Sequence, residues 1–182
     1  MIYVFLAPGF EEIEALAVVD VLRRAELDVL TVDVGEDFVI GSHKIPVAAD
    51  ISEKALVLDD TVEAIVLPGG MPGTLNLEKS AVVQKAIDWA LENNKLICAI
   101  CAAPSILGHK GLLDGKKATC FPGFEEELFG AELSKDYVVK DGIFITAKGM
   151  GSAIEFGLQI AEVLTNPLEV KKIRASLQIY NG

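Results

Sequence analysis

Cys101 ends an unbroken apolar run, Leu96 to Ile100, within the stretch Lys95–Ser105 (K-L-I-C-A-I-C-A-A-P-S). A run without polar alternation reads as a buried strand of a parallel sheet. Ala102, Ala103 and Pro104 follow and read as the first turn of a helix, where proline is tolerated because the first N–H groups have no intrahelical partner. A thiol at that junction lies at the carboxyl end of a strand, where open α/β sheets place their ligand crevices. Unpaired N–H groups and the helix dipole there favour thiolate, the nucleophilic form of cysteine. Cys98 lies inside the run and reads as core, as most cysteines do. The two spell C-x-x-C, but three residues along a strand put side chains on opposite faces, so a dithiol couple is not expected. Zinc is not expected either, for want of a fourth soft ligand at suitable spacing.

A reactive thiol needs a group to move its proton. The chain has two histidines, His43 and His109. His109 lies on or just past the helix that follows Cys101, roughly 12 Å away at the helical rise, and reads as a partner of that helix's C-terminal dipole. His43 has no sequence reason to reach Cys101 within one subunit. Carboxylates are better placed. Glu11 to Ala25 reads as a helix that starts just after the first strand, at the sheet edge that carries Cys101. Glu14 shares a face with Val18, Val21 and Ala25, which would desolvate it and hold it partly protonated. Glu11 has a similarly apolar face, so helical phase alone does not choose between them, and all three glutamates also suit a helix N-terminus. Gly69 and Gly70 end a neighbouring strand. With Ala102, their N–H groups could make an oxyanion site.

The elements that must hold these groups alternate strand and helix. Ile2–Ala7, Asp28–Val34, Ala64–Leu67 and Leu96–Ile100 read as strands, and Phe38–Ala48 as a β-excursion turning at Gly41-Ser42. Asn76–Asn93 is the longest helical pattern. Lys117–Cys120 reads as a short strand, and Asp141-Gly142 as the turn of a hairpin between Tyr137–Lys140 and Ile143–Thr146. Gly149-Met150-Gly151-Ser152 opens a helix running through Leu164, and a last helical segment follows Asn166-Pro167. Such alternation predicts one α/β domain spanning residues 1–182, with a mostly parallel sheet and helices on both faces.

Bulk properties narrow the function. A formal net charge of −11 argues against a nucleic-acid surface, which needs a basic stripe. No apolar run is long enough to span a bilayer, and no basic residue precedes Arg23, so neither a membrane segment nor a signal peptide is expected. Three cysteines, Cys98, Cys101 and Cys120, predict free thiols and a cytoplasmic location.

Together, G-F-E-E-I-E-A (Gly9–Ala15), D-V-L-R-R-A (Asp20–Ala25), L-P-G-G-M-P-G (Leu67–Gly73), A-I-C-A-A-P (Ala99–Pro104) and A-K-G-M-G-S (Ala147–Ser152) resemble the ThiJ/PfpI superfamily. The resemblance is to the branch of the human Parkinson-disease protein deglycase. It implies a flavodoxin-like three-layer sandwich and a homodimer with Ile13 at its interface. It implies that Cys101 is the reactive, oxidisable cysteine, that Glu14 is its partner, and that Gly69, Gly70 and Ala102 donate backbone N–H groups. The implied activity is cofactor-free, cysteine-dependent conversion of glyoxal or methylglyoxal, free or as protein adducts, to hydroxyacids; an oxidative-stress sensor or redox-regulated chaperone acting through a Cys101 sulfinate is the alternative. Three residues depart from the pattern. Ala102 stands where the protease-like branch has histidine, which argues against a peptidase. Phe121 stands where the human protein has a histidine near the site. His43 stands for an arginine that approaches the pocket across the dimer, and so becomes a possible contributor in trans.

Overall fold

The computed structural model describes residues 1–35 and 38–179. β1 (Ile2–Leu6) leads into α1 (Glu12–Arg24) and β2 (Val29–Asp33). A small hairpin, β3 (Phe38–Ile40) and β4 (Pro46–Ala48), precedes β5 (Ile51–Ser52) and β6 (Ala64–Leu67). Next come α2 (Gly73–Lys79), α3 (Ala81–Glu92), β7 (Leu96–Ile100) and α4 (Pro104–His109). The chain closes through β8 (Lys117–Ala118), β9 (Glu132–Leu133), β10 (Val138–Asp141), β11 (Phe144–Ala147), α5 (Ala153–Leu164) and α6 (Pro167–Ser176).

Seven strands form the central sheet in the order β10-β11-β7-β6-β1-β2-β5. All neighbours are parallel except β10, which returns antiparallel beside β11. Strand periodicity sorts the core into two layers. Ile2, Val4 and Leu6 face a layer closed by α1, α5 and α6, while Tyr3 and Phe5 face one closed by α2, α3 and α4. Both faces are covered, which is why β1, β6 and β7 are apolar throughout. This is the flavodoxin-like three-layer sandwich expected from the sequence. Among the described residues, no helix is long and apolar enough to cross a membrane.

Two local expectations are corrected. The long helical pattern over Asn76–Asn93 is two helices, because the backbone at Ser80 is extended (φ −71°, ψ 118°) and its side chain caps α3 by accepting from the Val83 N–H. The helix after Cys101 begins only at Pro104. Cys101 therefore lies in a tight turn before the helix, with φ +65°, a left-handed conformation that costs a non-glycine residue about 1–3 kcal/mol.

The parallel arrangement gathers the carboxyl ends of β1, β6, β7 and β11 on one edge. Register places Ile100 beside Ala147 and Ala99 beside Leu67. The loops leaving these strands carry Glu11, Gly69, Cys101 and Gly149, and thus meet although they lie far apart in sequence.

Candidate active site

The turn at Cys101 is held from both sides. Its N–H donates to the Ala147 carbonyl (2.9 Å), and its own carbonyl accepts from the Phe121 N–H (2.8 Å). These two bonds fix the left-handed backbone and aim the half-buried thiol across the sheet edge at α1. The thiol packs on the same layer as Cys98. The opposite-face expectation does not carry over, because Cys101 has left the strand and its period of two. Cys98, Cys101 and Cys120 are all free thiols.

Glu14 is the third residue of α1 and 1% exposed. Its carboxyl shares a hydrogen bond with the Cys101 thiol. The Gly69 N–H donates to its Oε2 (2.9 Å), and the Met150 N–H donates to it as well. Burial, reinforced by the charge of Glu11, pushes its pKa from 4.5 up to about 7, against the opposing pull of these donors. Glu11 is the N-cap of α1: its Oε2 accepts from the Glu14 N–H (2.8 Å). The structure thus gives the two glutamates, which helical phase could not separate, different positions. Glu14 meets the thiol, and Glu11 secures the helix end beneath it.

Burial, then the charge and hydrogen bond of Glu14, push the Cys101 thiol up to about 12; N–H groups of Gly70 and Ala102 pull the other way. A helix terminus would pull the thiol down and a carboxylate in contact would push it up, and here the upward push is the larger. α4 starts three residues too late to act on Sγ, and a carboxylate in contact dominates. The resting pair is a protonated thiol facing a carboxyl that is half ionised near neutrality, and the two titrate as a unit.

The three expected N–H donors divide their work. The N–H groups of Gly70 and Ala102 act on Sγ, drawing its pKa down. Gly69 donates to Glu14 instead, so its N–H is not directed at an oxygen bound on Cys101. Glycine is required at 69 for contact: a Cβ there would lie 2.5 Å from the Cys101 Cβ and 2.7 Å from the Glu14 Oε2. His43, expected only from a second subunit, sits on α1 of its own chain. Its Nδ1 is 3.0 Å from the Glu12 Oε2 and 3.8 Å from the Glu11 Oε1. Burial raises Glu12, but donors from its own backbone, the His43 ring and the His43 and Ile45 N–H groups outweigh that and lower its pKa. His109 lies elsewhere, between Glu78 and Glu127.

Two contributors were not foreseen, the Met150 N–H and the Phe121 main chain. The signal for Met150 was its place just past β11, at the same sheet edge; it read only as a helix start. Phe121 donates through its backbone, which no side-chain pattern announces.

Comparison with known proteins identifies the family. Residues 1–163 match the DJ-1/PfpI family. Protein dj-1beta of Drosophila melanogaster is 37% identical over 182 residues, covering 98% of this chain and 97% of that protein. The glutathione-independent glyoxalase DJR-1.2 of Caenorhabditis elegans is 33% identical over 159 residues, covering 86% and 84%. A structure of oxidized Toxoplasma gondii DJ-1 superposes with a TM-score of 0.91 at 36% identity, covering 97% of this chain and 96% of that one. With the family matched over most of its length and its thiol and carboxyl joined at one sheet edge, the chain belongs to the DJ-1/PfpI family.

Proposed function

We propose that this protein is a cofactor-free enzyme that converts small α-oxoaldehydes, glyoxal or methylglyoxal, free or as early adducts on protein amines, to hydroxyacids. The observation that carries the reading is the buried hydrogen bond between Cys101 and Glu14, with the carboxyl tuned to about 7. A general base is most useful when its pKa lies near the working pH.

In the proposed sequence, Sγ attacks the aldehyde carbon and a C–S bond forms. The thiol proton passes to the Glu14 carboxylate, and the carbonyl π electrons move to oxygen. That oxygen forms beside Sγ, within the field of the Gly70 and Ala102 N–H groups. Glu14 gives up its proton to that oxygen, removes the proton on the former aldehyde carbon and returns it at the neighbouring carbon, while the hydroxyl proton on the first carbon's oxygen passes to the neighbouring carbon's oxygen. The first carbon is oxidised to a thioester and the second reduced to an alcohol, so no external oxidant or reductant is needed. Water then cleaves the thioester and releases the hydroxyacid and the thiol. Cys101→Ala should abolish methylglyoxal consumption and Glu14→Ala should strongly impair it. Undiminished turnover by Cys101→Ala would overturn the proposal.

One observation supports a second reading, a redox sensor. The N–H groups that reach Sγ and a protonated Glu14 would also stabilise a sulfinate at Cys101. Mass spectrometry after mild peroxide separates the two: two oxygens gained at Cys101 without carbonyl turnover favours sensing. The proposal places the protein in the cytoplasm, where its free thiols stay reduced. It also makes it a homodimer. Ile13 and Leu16 are 50% and 38% exposed on α1, and a second copy would cover them. Light scattering of Ile13→Glu against the parent tests this.

A further inference from the structure

A groove of about 360 Å³ lies beside the catalytic pair, lined by Phe121, Pro122, Tyr137, Lys148, Met150 and neighbouring glycines. It adjoins the chemistry directly. The Phe121 N–H holds the Cys101 carbonyl at 2.8 Å. The Met150 N–H donates to Glu14. A Cβ placed on Gly149 would be 3.1 Å from the Phe121 ring and 3.7 Å from the Glu14 Oε1, so the ring and the carboxyl flank the same glycine. Phe121, Tyr137 and Met150 are 47%, 70% and 51% exposed. Water is left facing two aromatic rings and a thioether, groups that gain from contact with another ring. The groove's cation is already engaged: the Lys148 Nζ donates to the Lys135 carbonyl (2.7 Å) and lies 5.0 Å from the centroid of the Tyr137 ring. The lining therefore favours a neutral aromatic group over an anionic one. The volume falls in the range of about 300–1,000 Å³ that takes drug-sized ligands, whereas methylglyoxal brings only a methyl group.

We propose that this groove is the subsite for the substrate's substituent, and that the protein prefers α-oxoaldehydes bearing an aryl group. The aldehyde would meet Cys101 while the ring rests against Phe121, Tyr137 and Met150. The inference rests on the carbonyl-converting reading above. The test is the ratio of kcat/KM for phenylglyoxal to that for methylglyoxal, in the parent protein, Tyr137→Ala and Phe121→Ala. Each substitution should lower the ratio about threefold to tenfold, the worth of one aromatic contact. Tyr137 is mostly solvent-exposed, so its removal leaves folding intact. Ratios that stay within twofold of the parent's overturn the subsite. A binding readout keeps the two readings apart. Acetophenone, but not acetone, should slow iodoacetamide labelling of Cys101, and Tyr137→Ala should erase that protection. Protection without turnover of either aldehyde would keep the groove and remove the enzyme; turnover without selective protection would do the reverse.

Discussion

Glu14→Gln should flatten the pH dependence of folding stability between about pH 4.5 and 7. In the unfolded chain Glu14 gives up its proton near 4.5, and in the fold near 7. Between those values the native state binds more protons than the unfolded state, so stability falls as pH rises. Below about 4.5 the penalty is absent, and above about 7 it is complete. At about 1.4 kcal/mol per pKa unit the full penalty is about 3 kcal/mol. Glutamine keeps the shape and an acceptor for the Gly69 N–H but cannot ionise. The stability of Glu14→Gln relative to the parent should therefore improve by about 3 kcal/mol from pH 4 to pH 8. Urea unfolding of both proteins at fixed concentration, stepped across this range, reads the difference directly, because the other titrating groups cancel. The window stops below pH 9, where the raised thiol begins to contribute. A stability difference constant to within about 0.5 kcal/mol across the window would refute a carboxyl held protonated by burial.

Three further outcomes follow from the same geometry. Glu14→Gln should speed iodoacetamide labelling of Cys101 at pH 8 while slowing carbonyl turnover, because it removes the charge that raises the thiol and also the base that accepts its proton; slower labelling would contradict the assignment. Gly69→Ala should separate the pair, since its Cβ would overlap both the Cys101 Cβ and the Glu14 Oε2, and lose turnover together with about 1–3 kcal/mol of stability in denaturant melts. His109→Gln should cost about 1 kcal/mol near pH 6 after allowance for solvent screening, and less near pH 9. Hydrogen bonds to Glu78 and then Glu127 raise the histidine's pKa, so its contribution is complete below about 6.5 and is lost as pH rises through the raised value. Equal costs at both pH values would exclude a charged bridge.

The parallel core was readable because β1, β6 and β7 are apolar on both faces, a pattern that only a sheet covered on two sides requires. The meeting of Cys101 with a glutamate of α1 was readable from the shared carboxyl edge. The choice of Glu14 came with the resemblance and not from helical phase, because Glu11 and Glu14 present similar faces and differ in which one caps the helix. Which pull on the thiol prevails was not readable for a related reason. Strand-to-helix spacing suggested a helix dipole at Sγ, whereas the turn delays α4 to Pro104 and leaves desolvation and the neighbouring carboxyl in control. The break at Ser80 was hidden because α2 and α3 carry a nearly continuous helical pattern. His43 in contact with Glu12 depended on how the β3–β4 hairpin folds back onto α1, and local pattern does not encode that docking.

The left-handed backbone at Cys101 has a bearing on evolvability. Glycine adopts φ +65° without penalty, so Cys101 occupies a position where its own side chain works against the fold. The buried Glu14 adds a second such burden on the opposite side of the contact. A lineage released from the need for this chemistry would therefore drift toward glycine at 101 and a neutral residue at 14, and each step would make the protein sturdier.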